Sequence, residues 1–354
     1  MDTILAEGLR SEKPYHFREE QKKEIIRSVS YYNKRNSYSV IWFPHHGIGP
    51  LLTEPFERTS DASIGYFGQL PAELLRIVLE SLDIYSLFKF RQTSVNVRRC
   101  LHDTLYSSYG VVVKHGYILF CALFRTQLSA HVSLFEFYKA MRTEACATCG
   151  EFSGFISIPT WTRCCFKCIH NAPELRMQSL NSAREYFSLT RPQLDQLGSF
   201  RTLPGKYDIL ETPQQRLRFM VVSTHQASMI SGWEPRRIEH PRQIQKFNFM
   251  VSCALPFYDT RTKDEVVEKG RWCLGCKASP IVKWEARERA YSNDGFLRHF
   301  RLCKQAQDLW ELNQERKKLP ELLDSIMKHD GYELYRFCYD ASPGAEDIPF
   351  PQQQ

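Results

Sequence analysis

The chain has 354 residues, 43% of them hydrophobic and 25% charged, with a formal net charge of +7. That length allows a sizeable core and two or three domains, and the composition is that of a folded globular chain, which excludes global disorder. The Lys and Arg residues are spread along the sequence rather than run together. This excludes a long basic arm for nucleic acid and leaves a folded basic face open.

The stretch Met1 to Glu24 is charged and lacks the apolar core of a secretory signal. Phe17 to Arg27 is rich in Glu, Lys and Gln, with Ile25, Ile26 and Val29 as an apolar stripe, and predicts one helix. Ser39 to Phe43 predicts a short strand stopped by Pro44, and His45–His46 reads as loop. Pro50, Pro55 and Ser60 to Gly65 predict a linker, so residues 1–65 are expected to be an N-terminal extension.

Compact helices start at Leu70. Pro71 suits a first helical turn, and Glu73 lies near its positive end. Leu74, Leu75, Val78 and Leu82 fall on one face, with Ile77 and Leu79 outside it. A helix apolar over so much of its circumference must bury more than one side. A second helix is expected over Tyr85 to Arg91, carrying Leu87, Phe88 and Phe90. Ser94 can cap a third, whose stripe is Val97, Cys100, Leu101 and Leu105. Three short helices cannot build a large core alone, so part of this surface is expected to meet a partner.

Leu70-Pro71-x-Glu73-Leu74-Leu75, Ile77, Leu82-Asp83, Ser86-Leu87, Arg91-x-Thr93-Ser94 and Arg98 together resemble the F-box. The resemblance implies a three-helix module that binds the Skp adaptor of a Skp–cullin–F-box ubiquitin ligase. It implies that Leu70, Pro71, Leu74, Leu75, Ile77, Leu82 and Leu87 make or support the adaptor contact. Many members carry Trp where this chain has Val97, which weakens one packing contact.

Residues 111–140 are apolar and aromatic. The most apolar stretch, Tyr117 to Phe124, is far shorter than the roughly 20 residues of a membrane span and is expected to be core. Leu134, Phe135, Phe137 and Tyr138 predict a helix leading into a cysteine pair. No membrane association is expected, and the chain is expected in the cytoplasm or nucleus.

Twelve cysteines in a reducing compartment are seldom a disulfide framework. Seven fall in tight clusters, which points to metal, whereas Cys100, Cys121, Cys253 and Cys338 lie among apolar neighbours and are expected to be core residues. Cys146-x-x-Cys149 and Cys165-x-x-Cys168 have the spacing of a four-thiolate zinc site, in which one tight turn aims two sulfurs at a tetrahedral ion. Gly150 can supply the left-handed backbone of that turn. Cys164 competes with Cys165, but only Cys165 keeps the two-residue spacing. A second set is Cys273-x-x-Cys276 with His299-x-x-x-Cys303, the last two expected on one helix capped by Asn293 or Asp294, with Phe296 and Phe300 beside the metal. Both sites are expected to be structural zinc, since four ligands leave no open position; an iron–sulfur centre is the alternative.

Residues 173–250 mix helical and extended signals, and 293–330 are mainly helical with a break at Pro320. Ser182-Ala-Arg-Glu-Tyr-Phe-Ser-Leu-Thr190, then Leu194, is similar to the segment after the zinc module in damage-recognition proteins of nucleotide excision repair. A helix and turn with Tyr186, Phe187 and Leu189 as core accounts for the same residues. The end of the chain, Pro349, Pro351 and Gln352 to Gln354, is expected to be loose.

The expected fold is α+β, mainly α. It comprises the extension at 1–65, a three-helix F-box at 66–110, a helical segment and four-cysteine module at 111–172, and a mixed C-terminal region at 173–354. The expected role is a non-catalytic receptor that binds the adaptor and cullin complex at one end and a protein substrate at the other. The alternative is a zinc-stabilised nucleic-acid-binding protein using groups such as Arg236, Arg237, His240 and Arg242. No phosphate-cradling glycine loop, Gly-x-Ser-x-Gly elbow or His-Glu-x-x-His helix supports an enzyme. The two ligand sets lie too far apart in sequence for the interleaved pattern of a RING-type ligase.

Overall fold

Several helices begin where the sequence supplies a cap in this computed structural model, which describes residues 10–43, 64–207, 215–232, 240–261, 266–279, 282 and 284–315. A single turn at Glu19–Gln21 leads into α1 (Lys22–Val29) and β1 (Ser30–Tyr31). Pro71 precedes α2 (Ala72–Ser81). The Asp83 carboxylate accepts from the Ser86 N–H at 2.8 Å and starts α3 (Ile84–Arg91). The Ser94 hydroxyl accepts from the Val97 N–H at 3.1 Å and starts α4 (Val95–Leu105). After α5 (Tyr117–Thr126), a reciprocal box of Ser133 and Glu136 opens α6 (Leu134–Met141).

The remainder alternates short strands and helices: β2 (Phe155–Ser157), β3 (Thr162–Cys164), α7 (Phe166–Asn171), β4 (Met177–Ser179), α8 (Leu180–Tyr186), β5 (Ser199–Arg201) and β6 (Met220–Ser223). Then come α9 (Pro241–Met250), β7 (Ser252–Ala254), β8 (Phe257–Asp259), β9 (Val266–Glu268), β10 (Arg271–Cys273), α10 (Leu274–Ala278), α11 (Asn293–Phe300) and α12 (Lys304–Gln314). The strands form small antiparallel sheets ordered β3-β2-β7 and β4-β6-β5, with β8 paired to β9 and β1 to β10. The fold is therefore mainly α with some β. No helix among the described residues is long and apolar enough to cross a membrane.

The described residues separate into two compact units: those within 1–35, 271–289 and 293–354 form one, and those within 36–270 and 290–292 form the other. The larger unit has one continuous core that runs from Val40 through Leu79, Leu101, Phe137 and Ile156 to Tyr258. A smaller cluster of Ala183, Phe187, Leu189, Leu197, Val222 and Ala227 lies under α8. In the smaller unit α1 packs against α11 and α12, and Trp272, Phe296, Phe300 and Trp310 are fully buried.

This division differs from the linear one expected from sequence. The segment 10–35 is an integral part of the smaller unit, because Ile25 and Val29 bury against the C-terminal helices. Nor do residues 66–110 stand apart. The Leu134 N–H donates to the Leu82 carbonyl at 3.0 Å and the Ile84 N–H to the Val132 carbonyl at 2.9 Å, so α3 and α6 start from one shared junction. The helix expected over Phe17 to Arg27 begins only at Lys22, and Ser39 to Phe43 yields a single bridge, Ile41 to Cys253, instead of a strand. His45–His46, Pro50, Pro55, Arg236, Arg237, Pro320, Cys338 and the C-terminal tail lie outside the described residues.

Candidate adaptor face and metal centres

The helix α2 shows two edges of opposite character. Leu75 and Leu79 are buried, at 6% and 0% exposure, against α4 and α6. Leu70, Leu74, Ile77 and Val78 are exposed, at 38%, 51%, 63% and 38%. These four recur at helical spacing and form one stripe. Tyr66 and Phe67, in the turn Gly65–Gln69, are also exposed and extend it toward the N-terminus. Pro71 is exposed and Leu82 half-buried, while Leu87 is fully buried. Monomeric surfaces seldom display so contiguous a row of large apolar groups without a partner.

Four of the predicted adaptor residues, Leu70, Pro71, Leu74 and Ile77, are thus presented to solvent. Leu75 and Leu87 are not: they are withdrawn into the chain's own core and can only hold the helices in place. Within α2 the buried edge runs through Leu75 and Leu79, while Leu74 and Val78, grouped with Leu75 on one face by the sequence pattern, are exposed.

A family profile of the F-box domain matches residues 67–105, from the exposed turn through α4. The chain carries an F-box. Comparison of the whole chain with curated proteins and with solved structures found no match. The F-box supports a role as the adaptor-binding subunit of a Skp–cullin–F-box type complex.

Beyond the F-box, two sets of donors converge among the described residues: Cys146, Cys149, Cys165 and Cys168, and Cys273, Cys276, His299 and Cys303. Within each set the donor atoms lie within 4.8 Å of one another. The first begins with a tight turn in which Gly150 takes φ 72° and its N–H donates to the Cys146 carbonyl at 2.8 Å. Cys165 then precedes α7, and the Cys168 N–H returns to its carbonyl at 3.1 Å. Cys146, Cys165 and Cys168 are buried and Cys149 is exposed. Cys164 lies on β3 opposite Phe155, outside the cluster, and burial pushes its thiol well up.

In the second set Cys273 ends β10 and caps α10, its sulfur accepting from the Cys276 N–H at 3.4 Å. His299 lies on α11, but Cys303 does not: α11 ends at Phe300 and Cys303 sits at the start of α12. The Cys303 N–H still reaches the His299 carbonyl at 3.0 Å, which keeps the two donors together across the turn. All four residues are buried. Gly275 is required here because an added Cβ would lie 2.4 Å from the Ala306 backbone nitrogen. Tyr15 and Phe17 cover Phe300, with ring centroids 5.3 and 6.0 Å away.

The donors fit a tetrahedral ion. Thiolates about 2.3 Å from zinc lie about 3.8 Å apart; Cys149 and Cys165 are separated by 3.6 Å, Cys276 and Cys303 by 3.7 Å, and Cys273 and Cys303 by 3.9 Å. The Cys276 sulfur and His299 Nε2 are 3.3 Å apart. The thiols also share protons. Hydrogen bonds from the Cys165 and Cys168 thiols push Cys146 down, and those same bonds, with burial, push Cys165 up. In the second set the Cys273 and Cys276 thiols push Cys303 down, while burial pushes Cys273 up. In each set one sulfur is thus drawn toward the thiolate while a buried neighbour, Cys165 or Cys273, resists ionising, and a cation held between them would relieve that resistance.

The groups expected to serve nucleic acid are only partly in view. The His240 ring accepts from the Arg242 N–H at 3.3 Å and so caps α9, and Arg242 is exposed. Sequence reading found both ligand sets, but missed the exposed edge at Val78 and the part played by Tyr15 and Phe17. Neither has a local signal, since exposure and long-range packing follow from the tertiary fold.

Proposed function

We propose that this protein is a non-catalytic substrate receptor of a Skp–cullin–F-box ubiquitin ligase, active in the cytoplasm or nucleus. Its F-box docks the Skp adaptor, which links it to the cullin, and another surface captures a protein target. The carrying observation is the split character of α2: one edge is sealed into the chain's own core, and the other presents Leu70, Leu74, Ile77 and Val78 to solvent. Burying a Leu or Ile side chain contributes about 1.5–3 kcal/mol, so a few such anchors sustain a stable interface. Catalysis then falls to the ligase, and the receptor raises the local concentration of target lysines. In both centres the four protein donors close the coordination sphere of structural zinc, holding short segments in place.

The test is retention of purified Skp adaptor by the full chain and by Leu74→Asp/Ile77→Asp. Both positions are solvent-exposed, so the double variant is expected to keep its thermal unfolding profile and lose the adaptor. Retention of the adaptor by the double variant, or its absence from the unaltered chain, overturns this reading.

A further inference from the structure

Among the described residues the strand β5 is one of the two outer strands of the β4-β6-β5 sheet. Its residues alternate exposed, buried, exposed: Ser199 and Arg201 face solvent and Phe200 packs into the main core. Arg201 pairs with Met220 and Phe200 with Val221, and just beyond them the Thr202 N–H donates to the Phe219 carbonyl at 2.9 Å. Hydrogen-bonded pairs alternate along an antiparallel ladder. Phe200, like Thr202, therefore spends its backbone groups on β6, and Ser199 and Arg201 turn theirs outward. Such an edge is a template for an added strand.

Beside this edge lies a cavity of about 300 Å³. Leu128, Val132, Ile158, Trp161 and Phe200 line it, with His131 among its polar groups. Its size sits at the low end of ligand sites and suits one large side chain. Trp161 helps form it from a backbone with φ 49°, a left-handed conformation that a bulky residue adopts only when its surroundings enforce it. Glu136 also borders the cavity, but its Oε2 is engaged by the Ser133 N–H and hydroxyl at 2.9 and 2.8 Å.

A side chain on an added strand opposite Phe200 would point to the same face of the sheet as Phe200, hence toward the cavity. Its immediate neighbour would point to the other face, beside Arg201. Met220, the partner of Arg201, is 40% exposed there, and Arg218 just before it is exposed as well. The occupant therefore combines a bulky apolar residue with an adjacent negative charge.

We propose that the β5 edge and the adjoining cavity form a peptide-docking site. An extended segment of the target pairs with β5, places a large apolar side chain in the cavity opposite Phe200, and sets an adjacent acidic residue against Arg201. This rests on the receptor reading and names the kind of target it takes.

The experiment uses the full chain, with and without adaptor, and a short fluorescein-labelled peptide of alternating Thr and Val with a central Phe-Glu. Fluorescence polarisation is expected to show saturable binding. Proline in place of the residue before the Phe, with the Glu kept, removes a strand-pairing N–H group, and Phe→Ser empties the cavity; each is expected to weaken binding about tenfold or more. Arg201→Glu is expected to weaken the Phe-Glu peptide about tenfold and to recover affinity for a Phe-Lys peptide. That exchange could not arise from misfolding. Equal binding of the proline control, or indifference of Arg201→Glu to peptide charge, overturns the proposal. So does a labelled single-stranded oligonucleotide that binds in place of the peptide and is lost in Arg201→Glu, since the cations would then serve nucleic acid. Adaptor retention is scored on the same samples. Loss of peptide binding with the adaptor retained removes this proposal alone, and loss of the adaptor alone removes the receptor reading.

Discussion

The two candidate metal centres are built from nearly the same donors and differ in what holds them. The first closes one short stretch, Cys146 to Cys168, and leaves Cys149 at the surface. Around it Phe155, Phe166 and Ile169 belong to the large core and have neighbours enough without a metal. The second is buried on all sides. An N-terminal strap completes it: Arg10 bridges Cys303, the Ser11 hydroxyl donates to Gln307 Oε1 at 2.5 Å, and Tyr15 and Phe17 lie on Phe300. Without metal, the first centre leaves one thiol in water, whereas the second leaves three thiols and an imidazole facing one another in a dry interior. The lesson is that equal coordination does not mean equal dependence on the ion; burial of the donors decides it.

The largest expected effect tests that contrast directly. Structural zinc contributes of the order of 10 kcal/mol to small metal-dependent folds. Cys276→Ser is expected to unfold the smaller unit, read as proteolytic cleavage within 10–35 and 271–315 while the larger unit resists. Cys149→Ser is expected to lower the unfolding temperature without exposing those segments. With a chromogenic chelator, the unaltered protein should release zinc in two phases, the faster from the centre with the exposed thiol. A single phase, or equal damage from the two substitutions, breaks the comparison.

Gly275→Ala sharpens it without touching a ligand. The added methyl would meet the Ala306 nitrogen and α-carbon and the Gln305 carbonyl carbon, all backbone atoms that cannot step aside. Overpacking of this kind costs about 1–3 kcal/mol. The expected result is a lower midpoint for the smaller unit, with its zinc content unchanged at low temperature. No change in the midpoint would show that α10 and α12 are free to separate.

Much of this was legible along the chain, and the failures have a common cause. The paired cysteines, the F-box opening at Leu70-Pro71 and the cap at Ser94 are local, and local chemistry enforces them. What stayed hidden depends on contacts distant in sequence. The segment 10–35 reads as an extension because its apolar stripe is modest, yet Ile25 and Val29 are fully buried by helices that follow almost the whole chain later. Which edge of α2 is covered was hidden for the same reason: helical periodicity gives a stripe, and only the packing of α4 and α6 says which part of it is buried. Cys303 was assigned to the helix of His299 because their spacing allows it, whereas the chain ends α11 early and restarts at α12.

The Arg163 guanidinium carries the next effect in size. It is buried beneath the first centre, where its Nε donates to the Ser153 hydroxyl at 3.0 Å and its terminal nitrogens donate to the carbonyls of Leu255 and Ser153, both at 2.6 Å. Burial lowers its pKa to about 10, so it remains charged at neutral pH. The Arg163 carbonyl also accepts from the Ala147 N–H at 3.0 Å, within the cysteine turn. Zinc held by these four thiolates would carry a net negative charge, which this cation would offset. Arg163→Met is expected to speed zinc release from the first centre and leave the second unchanged. Equal acceleration at both would show a general loss of stability instead.

The smallest effect is electrostatic and belongs to the surroundings of that same centre. Arg261 donates to both carboxylate oxygens of Asp259, at 2.8 and 2.9 Å, and pairs with Glu144 at 3.2 Å, two residues before Cys146. The hydrogen bond from Arg261 holds the Asp259 carboxyl below its ordinary range. A lowered folded pKa contributes stability that is present above the unfolded carboxylate value of about 3.9 and is lost as pH falls through the folded value. Arg261 is largely exposed, so the contribution is below about 1 kcal/mol. Thermal unfolding of the unaltered protein and Arg261→Gln should differ slightly at neutral pH, and the gap should close as pH drops below the carboxylate range. Only the difference between the two proteins is informative, because thiolate centres also lose metal in acid. If the gap widens instead, the pair does not stabilise the fold through the Asp259 carboxylate.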